Sequence, residues 1–311
     1  MKITTLVTEP KDYSEKALAI YRSLGEVYEG KNLRPEVTIL VVRLAYKIDK
    51  AWMEKLPNLK YIVSPTTGLN HIDLDEAKKR KIKIISLKGH TSFLKNIPST
   101  AEETFGLILA LVRNFPWAFD DVKKGNWNRE IFRGHQLIHK TLGLVGCGRL
   151  GKIVAKYAKA FGMRVIGADP FVDAKTMKRF DIEKVELPEL LKESDIVSVH
   201  VALEKETHNL IGEKEFKLMK PGAYLVNTAR GEIVDEKFLL NALQEEKLAG
   251  AALDVLWNEV GGRHLRNNPL IEYAKKDRSR LLIVPHLGGA TYEAMQVTED
   301  FVADLLKKEI Q

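Results

Sequence analysis

The stretch Thr141-Leu-Gly-Leu-Val-Gly146-Cys-Gly148-Arg149-Leu150-Gly151 runs an apolar strand straight into a glycine triplet that opens a helix. The helix continues as Lys152-Ile-Val-Ala-Lys-Tyr-Ala-Lys-Ala-Phe161, and a second strand, Arg164-Val-Ile-Gly-Ala-Asp169, follows it. The three glycines meet three different steric demands. Gly146 permits the tight turn, Gly148 lets backbone approach a pyrophosphate, and Gly151 lets the helix pack on the strand. The free N–H groups at the helix start then hold phosphates. Asp169 ends the second strand, where a carboxylate accepts both hydroxyls of a ribose. Strand, glycines, helix, strand and terminal acid in register point to a dinucleotide. Asp169 would repel a 2′-phosphate, and Pro170-Phe171-Val172 supply no arginine to receive one, so NAD is expected rather than NADP.

Outward from this unit, strands and helices alternate almost throughout the 311 residues, the pattern of parallel sheets covered by helices on both faces. A first series places strands near 2–8, 37–44, 60–64 and 82–87, with helices near 13–24, 49–55 and 73–80. A long helix is predicted from Pro98 to about Phe115, with Glu102-Glu103 in its first turn. The second series begins at Thr141, with strands near 141–145, 163–168, 184–187, 195–201, 223–228, 249–255 and 281–285. Its helices fall near 149–161, 188–193, 213–219 and 235–245, and a last helix spans about Tyr292 to Lys308. Asn258 to Asp277 reads as one long irregular connection, of the kind that borders active sites.

Composition narrows the function classes. With 45% hydrophobic and 29% charged residues the chain has an ordinary globular composition, and no apolar run approaches the roughly 20 residues of a membrane span. The N-terminus reads as a first strand rather than a signal peptide, and a single cysteine, Cys147, excludes an internal disulfide, so a cytoplasmic location is expected. Cys147 lies inside the glycine turn and reads as a small filler rather than a nucleophile. The formal charge of +7 is spread along the chain, and its densest run, Lys78-Lys-Arg-Lys81, ends a helix. No nucleic-acid partner is expected from it, and the excess charge suits a small anionic substrate. No metal site is expected.

Three polar residues sit where strands of the second series end: Arg230 in Val226-Asn-Thr-Ala-Arg-Gly231, Glu259 after Asp254-Val-Leu-Trp-Asn, and His286 in Ile283-Val-Pro-His-Leu-Gly-Gly289. Ligands of open parallel sheets bind at the carboxyl ends of strands. Histidine can take a proton from an alcohol or return it to a forming alkoxide. A carboxylate behind it favours the imidazolium, and an arginine can grip a substrate carboxylate with two parallel bonds. Taken singly, each is as easily a surface or loop residue; together, downstream of a dinucleotide site, they read as the catalytic set.

These stretches, with Thr67-Gly68-Leu-Asn-His-Ile-Asp73 and Pro285-His-Leu-Gly-Gly-Ala290, closely resemble the D-isomer-specific 2-hydroxyacid dehydrogenase family over nearly the whole chain. The resemblance implies two doubly wound α/β domains, with a Rossmann NAD-binding domain (99–287) inserted into a discontinuous, flavodoxin-like substrate domain (1–98 and 288–311). It implies hydride transfer between NAD and a small D-2-hydroxy/2-oxo acid pair, and a homodimer formed through the NAD domain. The Arg–Glu–His set falls on Arg230, Glu259 and His286. Further cofactor contacts fall on Thr67, Arg149, Leu150, Val201, Thr228, Ala229, Asp254 and Gly288, with Asp254 at the nicotinamide carboxamide. Thr67-Gly68 is implied to offer backbone N–H groups to the substrate carboxylate.

Departures from the family pattern bear on the site. Val260-Gly261-Gly262 follows Glu259 where proline is usual, which leaves the position of Glu259 less firmly imposed. Ala202 stands two residues after His200 where proline is common. Glutamate at 259 argues against formate oxidation, since formate dehydrogenases of the superfamily carry glutamine there.

Leu40-Val-Val-Arg43-Leu-Ala-Tyr-Lys47 and Trp127-Asn-Arg-Glu-Ile-Phe-Arg-Gly134 resemble phosphoglycerate dehydrogenases, which implies Arg43 at the substrate carboxylate or phosphate. Ser64, where many of those enzymes have arginine, and the end of the chain at Gln311 without a serine-sensing domain weigh the other way. The expectation is 3-phosphoglycerate modestly ahead of glyoxylate, hydroxypyruvate or another small 2-oxo acid. The rival from another class is an NAD(H)-sensing protein resembling transcriptional corepressors, which keep the same three residues.

Overall fold

The computed structural model describes residues 2–262, 265–276 and 280–311. The chain divides into two compact units. One comprises Met1–Ile97, a short stretch beginning at Val260, and Ala290–Gln311; the other runs from Pro98 to Glu259 and resumes in a segment ending at Gly289. Gly288, placed by sequence at the start of the returning outer segment, packs with the second unit. Its N–H donates to Asp254 at 3.0 Å, and Thr100 Oγ1 donates to its carbonyl at 2.9 Å.

The first unit is a five-stranded parallel sheet of β1 (Thr4–Val7), β2 (Glu26–Glu29), β3 (Ile39–Val41), β4 (Tyr61–Ser64) and β5 (Lys83–Ser86). Its order is β2-β1-β3-β4-β5, a doubly wound arrangement of the flavodoxin type. Successive strand residues feed opposite cores. Val7, Ile39, Val41 and Val63 join Tyr21, Val302 and Leu306 on one face, while Leu6, Leu40 and Ile62 join Met53 and Leu56 on the other. Burial on both faces is why these strands read as continuous apolar runs. The last helix, Tyr292–Ile310, supplies Val302, Ala303 and Leu306 to the first of these cores. The sequence reading misses β2. Glu26-Val-Tyr-Glu29 is a four-residue edge strand with charged ends and no fully buried residue, so it lacks the apolar run that marks its neighbours.

The second unit is a seven-stranded parallel sheet of β6 (Thr141–Val145), β7 (Arg164–Ala168), β8 (Glu183–Lys184), β9 (Ile196–Val199), β10 (Ala223–Asn227), β11 (Leu248–Leu253) and β12 (Leu281–Ile283). Its order, β12-β11-β10-β9-β6-β7-β8, reverses direction between β6 and β9. That reversal is the topological switch point of a doubly wound sheet, where the strand ends leave a crevice.

Two expectations are corrected here. The long helix starting at Ser99 ends at Val112. Asn114 turns left-handed (φ 55°), and a second helix, Phe115–Lys123, starts afresh with Pro116 in its first turn. The connection after Asn258 is not irregular throughout, for Asn268 caps a helix at Pro269–Ala274 by accepting from Leu270 N and Ile271 N. Part of that connection lies outside the described residues.

Candidate active site

The glycine turn sits on the switch point. Gly146 has φ +98°, and a Cβ there would lie 2.8 Å from the carbonyl carbon of His200 and 2.9 Å from Val201 Cγ1, so the ends of β6 and β9 meet with no room for a side chain. Gly151 presses its helix onto the turn, since a Cβ would come within 2.4 Å of Gly146 O. Gly148 differs from both. A Cβ there meets nothing within 4 Å, because that face looks onto open space at the start of the helix Arg149–Ala160, which has no side-chain cap.

Asp169, at the end of β7, is fixed from both sides. Cys147 N donates to Oδ2 at 2.8 Å and Phe171 N to Oδ1 at 2.8 Å, and each oxygen keeps a lone pair for a ribose hydroxyl. An uncapped helix start, an open face over Gly148 and an anchored acid one strand away fit a dinucleotide. Cys147 is buried, and burial pushes its thiol up to about 12, as suits a filler. Gly167 makes room for it: a Cβ there would fall 2.4 Å from the sulfur. His200 is likewise inert near neutral pH, because burial pushes its imidazole down to about 4 and Ser198 Oγ sits 2.9 Å from Nε2.

The ends of β10, β11 and β12 carry the three polar residues. At β10, buried Asn227 pins the turn: its Nδ2 donates to Arg230 O at 2.8 Å and its Oδ1 accepts from Ala229 N at 3.0 Å. Thr228 Oγ1 lies 2.8 Å from Thr104 Oγ1, which itself donates to Thr100 O, so the Thr228 proton is directed to Thr104. Gly231 lies so close to Leu256 and Trp257 that a Cβ would fall 2.1 Å from a backbone carbon. That contact fixes Arg230 against the loop following β11. Burial lowers the Arg230 guanidinium, opposed by the charges of Glu259, Glu232 and Asp254.

After β11, the loop folds back so that Leu256 N donates to Glu259 Oε2 at 3.2 Å, with Asn258 left-handed at φ 56°. The other oxygen, Oε1, pairs with Nδ1 of His286. The anchor that proline would supply is therefore provided by the loop's own backbone. His286 also adopts a left-handed conformation (φ 54°), held by its N–H donating to Asp254 O at 2.8 Å. Buried Asp254 accepts from Leu287 N at 2.5 Å and Gly288 N at 3.0 Å. One carboxylate thus fixes the backbone on which His286 is mounted.

The second unit thus brings together Arg230, Glu259, His286, Thr228, Ala229, Asp254 and Gly288, with Gly146, Gly148, Arg149, Leu150, Gly151, Asp169 and Val201 at the glycine turn. Thr67, Gly68 and Arg43 belong to the first unit. There, Thr66 Oγ1 donates to Gly68 O at 2.9 Å and lies 2.8 Å from Ser64 Oγ, which shapes the turn. Among the described residues no backbone acceptor takes the N–H groups of Thr67 or Gly68.

Arg43 has its partners within the first unit. Its Nε and Nη2 donate to Glu299 Oε1 at 2.9 and 2.5 Å, Nη1 donates to Lys11 O at 3.1 Å, and Nη2 to Asp12 O at 3.4 Å. Glu299 is only 1% exposed and also accepts from Ser14 N at 2.7 Å. A guanidinium has five N–H donors, and four are engaged here, so in this structure Arg43 neutralises a buried glutamate.

The sequence reading also overlooks Glu103. It takes Glu102-Glu103 as first-turn acids, yet only Glu102 faces water. The carboxyl oxygens of Glu103 are buried beside Asp254. Helical phase carried the signal, since Thr100, Glu103 and Leu107 share a face.

The second unit matches the family model "D-isomer specific 2-hydroxyacid dehydrogenase, NAD binding domain" over residues 105–288. A D-3-phosphoglycerate dehydrogenase of Methanocaldococcus jannaschii is 36% identical over 98% of this chain. The chain belongs to the D-isomer specific 2-hydroxyacid dehydrogenase family. It spans 57% of the length of that Methanocaldococcus relative. A glyoxylate reductase of Thermococcus litoralis is 39% identical over 86% of this chain and 79% of its own length. Among solved structures, a D-lactate dehydrogenase of Aquifex aeolicus complexed with NAD and lactic acid superposes with a TM-score of 0.84. It is 31% identical, with 99% of this chain and 95% of that one covered. The glycine turn and Asp169 therefore belong to the NAD-binding domain of this family. No helix among the described residues is long and apolar enough to cross a membrane.

Proposed function

We propose that the chain is an NAD-dependent oxidoreductase acting on a small D-2-hydroxy/2-oxo acid pair, with His286 as the acid–base group, Glu259 as its partner and Arg230 as the substrate anchor. The observation that carries this reading is the Glu259–His286 contact. With Nδ1 turned to a carboxylate, Nε2 is the nitrogen left to exchange a proton with the substrate oxygen. NAD, when bound, supplies or accepts the hydride. Reduction of a 2-oxo acid then needs a proton at the forming alkoxide from His286 Nε2, and Glu259 stabilises the imidazolium that donates it. Arg230, desolvated beside this pair, grips the substrate carboxylate and polarises the adjacent carbonyl.

The engagement of Arg43 by Glu299 favours an unphosphorylated acid, such as glyoxylate or hydroxypyruvate, over 3-phosphoglycerate. An NADH-oxidation screen over a panel of 2-oxo acids that includes phosphohydroxypyruvate tests both points. Turnover of none, with NADH still bound, would favour the sensor reading. Arg43→Ala should leave a buried, unneutralised Glu299 and cost about 3 kcal/mol of stability by denaturant unfolding, while affecting phosphorylated and unphosphorylated substrates equally. Selective loss of the phosphorylated one would return Arg43 to the substrate.

A homodimer through the second unit is supported by its exposed apolar side chains: Phe119 is 62%, Val122 50% and Trp127 89% exposed, with Ile131 nearby in sequence. Sedimentation at micromolar concentration should give the dimer mass, and Trp127→Lys should shift it toward the monomer. A monomeric wild type would remove this part of the proposal.

A further inference from the structure

Glu103 is a buried carboxyl that the chemistry above does not use. Both of its oxygens are buried, and no donor among the described residues reaches either one. The group it faces is the carboxylate of Asp254. A Cβ placed on Gly288 would lie 2.9 Å from Glu103 Oε2 and 3.1 Å from Asp254 Oδ2, so the two side chains close on the same backbone position. Two carboxyl groups so placed resist being ionised together near neutral pH, and they attract only when one carries a proton.

The structure decides which one. Asp254 accepts from two backbone N–H groups, Leu287 and Gly288, and His286 lies close enough to favour its charge. Glu103 has neither kind of support. We propose that Glu103 is a positioning residue for the acid–base histidine: as the protonated member of a carboxyl pair it donates to Asp254, which in turn holds the Leu287–Gly288 backbone next to His286. The proposal rests on the assignment of His286 in the preceding section for its catalytic consequence, though not for the pairing itself.

Burial, and then the charge of Asp254, push the Glu103 carboxyl up to about 8. The charged and titratable groups around the pair are Asp254 itself, His286 on the loop after β12 and Arg230 after β10. The hydroxyls of Thr100 and Thr104 lie on Glu103's own helix.

The sign follows from linkage. An unfolded glutamate ionises near 4.5, whereas the folded one keeps its proton to about 8. Between those values the folded chain binds more protons, so Glu103 makes stability fall as pH rises and stops doing so once it ionises in both states. Glu103→Gln keeps the shape and a donor toward Asp254 but cannot ionise. The melting temperature of that variant, relative to wild type, should therefore climb between pH 5 and pH 8, by roughly 5 °C or more, and level off above pH 8. The alkaline limb of the kcat profile near pH 8 should also move or vanish in Glu103→Gln while NADH affinity at pH 7 stays within about twofold. Glu103→Ala, which lacks the donor, should lower kcat without that rescue.

A melting difference that does not change with pH overturns the pairing, whatever the enzyme does. If Glu103→Gln fails to fold, the wild type still decides the matter: infrared absorption of a protonated carboxyl should be present at pH 7 and titrate away near pH 8, and its absence at pH 7 overturns the pairing. If the melting behaviour is as expected but no 2-oxo acid is reduced, the pair stands and the dehydrogenase assignment fails instead.

Discussion

His286→Asn should lower kcat by about 10²- to 10⁴-fold, the usual contribution of a positioned acid–base group, and leave NADH affinity nearly unchanged. The two effects should separate because the residues proposed to hold the cofactor, the Gly146–Gly151 turn and Asp169, lie at the ends of other strands. The substituted side chain pairs with Glu259, and its proposed partner in turnover is the substrate oxygen. Stopped-flow reduction of the best 2-oxo acid, with NADH binding followed by fluorescence, makes the comparison. A mutant that turns over at the wild-type rate would remove His286 from proton transfer. Equal damage to binding and turnover would mean instead that the left-handed backbone at His286, at φ 54°, had been disturbed. Asparagine tolerates that conformation well, which is why it is the substitution of choice.

Arg230→Lys should cost about 10²- to 10³-fold in kcat/KM, although the charge is kept. An ammonium is a point donor and cannot reproduce two parallel bonds to a carboxylate while also polarising the neighbouring carbonyl. The site also gives lysine little freedom to compensate. Arg230 is fixed by the Asn227-pinned turn before it and by the contact of Gly231 with Leu256 after it. Steady-state kinetics with a 2-oxo acid and with the corresponding aldehyde, which lacks the carboxylate, checks the assignment. The variant should lose far more on the acid than on the aldehyde, and equal losses would place Arg230 outside carboxylate recognition.

The geometry of the glycine turn was legible in the residues because it is local. Gly146, Gly148 and Gly151 answer three steric demands inside one strand–turn–helix unit, and Asp169 ends the next strand of the same unit. Backbone geometry and hydrophobic period encode all of this within about 30 residues. The fully buried strands were legible for the same reason, since an apolar run bounded by turn residues has few other readings. The strand Glu26–Glu29 was not, because an edge strand with charged ends carries no such run. Nor was the break at Asn114, where one left-handed residue and the following Phe-Pro outweigh an apolar pattern that would otherwise extend the helix.

Side-chain partnerships between distant elements were outside what the residues alone determine. Arg43 beside an apolar strand reads equally well as a substrate ligand or as the partner of a buried acid, and only folding brings it to Glu299, 256 positions away. Glu103 reads as a helix-start acid until its helix is rotated against the end of β11, which puts its carboxyl next to that of Asp254. The position of Glu259 was open for a similar reason: without the usual proline, its placement depends on the Leu256 N–H and the His286 ring rather than on its neighbours in sequence. The sequence by itself therefore determined the α/β class, the dinucleotide turn and the residue types at the strand ends, because these depend on backbone constraints and burial period. Only the tertiary structure decided which charges meet, because electrostatic partners are chosen by distance in space, and the low dielectric that makes each choice matter exists only once the chain has folded.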